Sequence, residues 1–86
     1  MKTLLKTIRI YDNNGKTADR FTAVFMDHLE KKPKTFFALA MNSQPFHPLG
    51  IGMSCTATPG RHLGKRIPFE SLPVDCQNFI LQVLKS

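Results

Sequence analysis

Prolines and glycines at positions 45, 48, 50, 52, 59, 60 and 64 interrupt the middle of this chain every few residues. Proline lacks a backbone N–H and has a locked φ, and glycine is entropically costly in helix or strand interiors. Residues 42–66 therefore read as a long loop region, with one short strand hidden in it around Ile51 to Thr56. In a chain of 86 residues, the size of one domain, regular structure must come mostly from the two flanking regions.

The N-terminal flank reads as strands. Over residues 4–11, Ile8 and Ile10 point one way and Arg9 and Tyr11 the other, the period of two of a half-buried strand. Asp12-Asn13-Asn14-Gly15-Lys16 is a turn, because Asn and Gly tolerate positive φ. Residues 20–26 form a second strand, with Phe21, Ala23 and Phe25 on one face. A charged connector follows from Asp27 to Lys34. Residues 35–41 are apolar on both faces, which suits a strand inside the sheet; a buried helix competes but is short at seven residues. Lys65 to Phe69 suits a short edge strand, because Pro68 cannot donate to a ladder.

The C-terminal flank reads as a helix. Leu72, Cys76, Phe79, Ile80, Val83 and Leu84 fall on one stripe at helical spacing. Ser71 is the expected N-cap, Pro73 suits the first turn, and Asp75 and Lys85 complement the helix dipole. The expected fold is α+β: an antiparallel sheet of three to four strands with one C-terminal helix packed on one face, all in a single domain spanning 1–86. Such a sheet leaves an edge or a face uncovered, which allows a homodimer.

Charge is distributed unevenly along this framework. From Lys31 to Phe69 there is no Asp or Glu, and the segment carries Lys31, Lys32, Lys34, Arg61, Lys65 and Arg66. The whole +6 excess of the chain resides there. A confined positive field favours a polyanion or an acidic protein surface as partner. Within it, Pro59-Gly60-Arg61-His62-Leu63-Gly64-Lys65-Arg66 is the densest cluster. Glycine lets backbone N–H groups approach an anion, arginine offers a fork to phosphate and lysine a point charge. The string lacks the phosphate-loop pattern of nucleotide hydrolases, since no Ser or Thr follows the lysine. The expected nucleic-acid or polyanion contacts are Arg61, His62, Lys65 and Arg66, with Lys31, Lys32 and Lys34 adding field; the same residues also suit a solvated basic loop. Phe36, Phe37, Phe46 and Tyr11 are the aromatics available for base stacking.

Pro45-Phe46-His47-Pro48 offers the alternative. Two prolines stiffen the backbone around Phe46 and His47, which would present them to a protein partner as an adaptor or inhibitor, or plug Phe46 into the core.

Other chemistries find little support. The two cysteines, Cys55 and Cys76, are too few for a secreted disulfide scaffold and read as reduced thiols, with Cys76 in the core. No pair among His28, His47, His62 and the cysteines has metal-ligand spacing, and the six acids form no general acid–base dyad. No enzyme activity, metal or cofactor is expected. No apolar run reaches bilayer length, so no membrane partner is expected, and Lys6 and Arg9 interrupt any signal sequence. A cytoplasmic location is the expectation.

Pro45-Phe46-His47-Pro48-Leu49-Gly50-Ile51-Gly52 and His62 through Cys76 resemble strings in a family of small bacterial proteins carried by phages and other mobile elements. Ile10-Tyr11-Asp12 and Asp19-Arg20-Phe21-Thr22 resemble that family too, so the likeness covers roughly residues 8–84. The resemblance implies a bacterial cytosolic setting and a role in regulating or interfering with a host process. It implies no reaction, cofactor or catalytic residue.

Overall fold

The computed structural model describes residues 7–29 and 34–85. Five strands and one helix follow in order: β1 Ile8–Asp12, β2 Phe21–Leu29, β3 Phe36–Met41, β4 Gly52–Ala57, β5 Lys65–Ile67 and α1 Val74–Lys85. They build a single five-stranded sheet in the order β4-β3-β2-β1-β5, with every neighbouring pair antiparallel. The α+β class and the C-terminal helix match expectation. The strand count is one higher than expected, because both the strand hidden near Ile51 and the short one at Lys65 join the sheet.

The β1–β2 connection owes its path to Asn14 and Gly15. Both adopt positive φ, 61° and 83°, and the Lys16 N–H closes the turn on the Asn13 carbonyl at 3.3 Å. Consecutive positive φ values suit the right-handed twist of the flanking strands. β2 runs three residues further than expected, to Leu29, so Asp27 and His28 belong to the strand and not to the connector. β3 has a neighbour on each side and is buried on both faces at Ala38 and Leu39, as its two-sided apolar pattern suggested.

One face of the sheet carries the main core. Ile8, Ile10, Phe21, Ala23, Phe25, Leu39 and Met41 meet Leu72, Cys76 and Ile80 from the helical end of the chain. The helix begins later than expected. Ser71 is not its N-cap: the Ser71 N–H donates to the Pro68 carbonyl in a separate 3-10 turn, Phe69–Ser71. The first helical bond runs from Gln77 N–H to the Pro73 carbonyl, so Pro73 precedes the first helical residue. A residue there needs no N–H, which is why proline fits. The Cys76 thiol donates to the Asn42 carbonyl at 3.1 Å and ties the helix to the end of β3.

The opposite face is covered by the connection between β4 and β5. β4 and β5 lie at opposite edges and run parallel to each other, so residues 58–64 must cross the sheet diagonally to link them. This strap lays Leu63 against a second apolar cluster of Tyr11, Val24 and Ala38, on which Cys55 also packs. Tyr11, expected on the polar side of a half-buried strand, is only 3% exposed as a result. The region 42–66, read as a long loop, is thus a compact turn, an edge strand and a strap.

A candidate polyanion interface under the strap

The strap is held by close approach to the β1–β2 turn. Gly64 has φ 114°, and a Cβ there would strike the Asp12 carbonyl and come within 2.6 Å of Asn13 Cα. Only glycine satisfies both the dihedral and the contact. The strap's 3-10 turn, Arg61–Leu63, closes with Leu63 N–H on the Gly60 carbonyl and Gly64 N–H on the Arg61 carbonyl. β5 then pairs with β1, setting Arg66 opposite Tyr11 and Lys65 opposite Asp12.

These constraints bring the expected cations together. A cavity of about 560 Å³ is lined by Tyr11, Gly60, Arg61, Gly64, Lys65 and Arg66. A second, of about 410 Å³, lies against the turn, where Asp12, Asn13, Asn14 and Lys16 face Arg61, His62, Gly64 and Lys65. Arg61, Gly64 and Lys65 line both, so the two hollows flank the strap. Arg61, His62, Lys65 and Arg66 are all exposed.

The nearest acid is already engaged. Asp12 accepts two hydrogen bonds from the Arg20 guanidinium, at 2.7 and 3.0 Å, and a third from the Asn14 N–H at 2.8 Å. The Arg20 contact holds the Asp12 carboxyl below its usual pKa, so it stays ionised and paired at neutral pH. Asp19 in the same turn is held by the Thr17 hydroxyl at 2.7 Å. Among the described residues, no carboxylate comes within ion-pair distance of Arg61, Lys65 or Arg66.

Not every expected contact joins the cluster. Lys34, with φ 63°, sits in the β2–β3 connection, at the end of the sheet opposite the β1–β2 turn and Lys65. A six-residue strand spans about 20 Å, so Lys34 does not extend the patch. Lys31 and Lys32 lie outside the described residues. Lys16, read only as part of a turn, joins the cluster instead. Its sequence signal was weak, because only the pairing of β5 with β1 carries Lys65 to it.

Phe46 and His47 lie in the β3–β4 turn. Phe46 is 52% exposed and packs edge-to-face on Phe79 of α1, with ring centres 5.9 Å apart. His47 is exposed, and its Nδ1 accepts a hydrogen bond from the Leu49 N–H at 3.0 Å. Asn42 organises the turn: its Oδ1 accepts from the Gln44 and Ile51 N–H groups. Gly50 packs so tightly on the Gln44 carbonyl that no side chain would fit.

Both thiols are reduced. Cys55 is half-buried on the strap side, and burial pushes its pKa up. Cys76 is fully buried and its pKa is pushed up to about 11 by burial. Among the described residues, no three His, Cys, Asp or Glu side chains gather closely enough to hold a metal ion. No helix among them is long and apolar enough to cross a membrane.

Comparison with protein-family models, with curated proteins and with solved structures finds no match to this chain.

Proposed function

We propose that this protein is a non-enzymatic binding module that holds a polyanion, a nucleic-acid strand, across the strap. The observation that carries this reading is that Arg61, Lys65 and Arg66 line one cavity together, with no carboxylate among the described residues paired to them. Arg61 and Arg66 offer forks to phosphate oxygens, Lys65 and Lys16 add point charges, and the exposed His62 supplies a further donor. The reading favours backbone contacts, so binding discriminates weakly between sequences.

The test is fluorescence anisotropy with short single- and double-stranded oligonucleotides. Four phosphate contacts give a salt slope near −0.7 per contact on a single strand, so raising salt from about 50 to about 200 mM weakens binding by about 50-fold. Arg61→Ala with Arg66→Ala abolishes binding at the lower salt, and Lys16→Ala flattens the slope. Lys34→Ala, at the far end of the sheet, has little effect. Absent binding at the lower salt, or binding indifferent to loss of Arg61 and Arg66, removes the proposal.

A further inference from the structure

The two edges of the sheet are built differently. β5 is three residues long, carries Lys65 and Arg66, and is followed by Pro68. Shortness, charge and proline are the devices that keep an edge from pairing with another chain. β4 has none of them. It runs for six residues, Gly-Met-Ser-Cys-Thr-Ala, with no charge and no proline, and its pairing with β3 is in register from end to end. Among the described residues, its outer side has no neighbour in the sheet.

The surroundings of β4 share its neutrality. From Thr35 to Gly60 the chain carries no Lys, Arg, Asp or Glu, although it is 21% charged overall. Burial explains this for β3 but not for the turn and β4, which are largely exposed. Apolar side chains flank the edge instead. On the helix side, Phe79 and Pro45 reach Gly52, and Phe46 packs edge-to-face on Phe79. Met53, on the strap side, is 53% exposed, and Leu49 in the adjoining turn is 88% exposed.

We infer that β4 is a homodimer interface, at which two copies pair antiparallel across a twofold axis. Copies of a molecule of net charge +6 repel one another, and least where the approaching faces carry no charge of their own; β4 with its turn is such a face. A twofold contact requires the same patch on both partners, and an antiparallel strand pair meets that requirement with main-chain hydrogen bonds alone. Residues directly opposite in such a pair must share a face of the sheet. Ser54 and Cys55 point to opposite faces, so one cannot stand opposite the other. The axis therefore passes at a residue facing its own copy, and at the strand centre that residue is Ser54 or Cys55. Either register sets Met53 of each copy on the same side, beside the axis.

Sedimentation equilibrium of the whole chain at roughly 100 µM, where mass action favours association, tests the inference. A particle of twice the 9.7 kDa chain mass is expected. Ser54→Lys sets two like charges beside the axis in either register and returns the protein to monomer. Ser54 is exposed, so circular dichroism and the melting temperature should stay near wild type. Ser54→Thr, uncharged and suited to a strand, should remain dimeric. A folded wild type that stays monomeric at that concentration overturns the inference. So does a dimer that persists unchanged in a folded Ser54→Lys protein.

Discussion

Gly64 carries more of the site than any cation does. Its positive φ and its contact with the Asp12 and Asn13 backbone let the strap reach the β1–β2 turn, and that approach sets Arg61 and His62 in one hollow with Lys16. Gly64→Ala combines a strained dihedral with a backbone clash, which together cost about 3 kcal/mol. Urea denaturation should show that loss, and oligonucleotide affinity should fall although no charge is removed. Cys76 has a different consequence. Its pKa is raised in the folded state, so the neutral thiol is favoured by folding and the contribution is complete below the usual thiol value of 9.0. Stability should then fall as pH rises from 9.0 towards about 11, and Cys76→Ala should flatten that slope in urea titrations across the range. The glycine was visible in the sequence as one break among several. Its partner across the turn was not, since nothing local marks a contact separated by some fifty residues.

At the scale of elements, the strap is the part least suited to sequence reading. Periodicity identifies strands and helices because their side chains repeat; residues 58–64 repeat nothing and cover a sheet face all the same. Leu63 anchors them on the cluster of Tyr11, Val24 and Ala38. Leu63→Ala should cost about 2 kcal/mol, near the low end for such truncations because the side chain is only partly buried. It should also loosen Arg61 and His62 and weaken oligonucleotide binding. An Arg61→Lys protein measured alongside, with the strap intact and the charge kept, separates positioning from charge: affinity falls further in Leu63→Ala if positioning governs. The helix offers the opposite lesson. Its stripe was legible from Cys76 to Leu84, but Leu72 precedes the helix in extended backbone and the start was misjudged at Ser71, because the 3-10 turn at Phe69–Ser71 takes the residue that looks like a cap.

At the scale of the molecule, sheet order keeps the two surfaces apart. The basic cluster lies at the β5 edge and the neutral face at the β4 edge, with three strands between them. Four strand spacings amount to about 19 Å, roughly twice the Debye length at physiological salt. The two activities should therefore be independent. The Arg61→Ala, Arg66→Ala protein is expected to sediment as a dimer like the wild type, and saturating oligonucleotide should leave the dimer intact. Sedimentation with and without the oligonucleotide checks both. Loss of the dimer in either case would mean that the surfaces overlap.

Most of the strands, the body of the helix and the places where charge is present or missing can be read from the chain alone. Alternation, helical spacing, turn residues and the carboxylate-free stretch are all local properties, readable without knowing what lies across the fold. The tertiary structure alone decided which of those charges meet. Strand order put Lys34 at one end of the sheet and Lys65 at the other, drew Lys16 into the cluster, and set β4 at an edge of the sheet. Strand pairing and packing between distant segments set these outcomes, and a sequence read along its length carries no register for contacts across it.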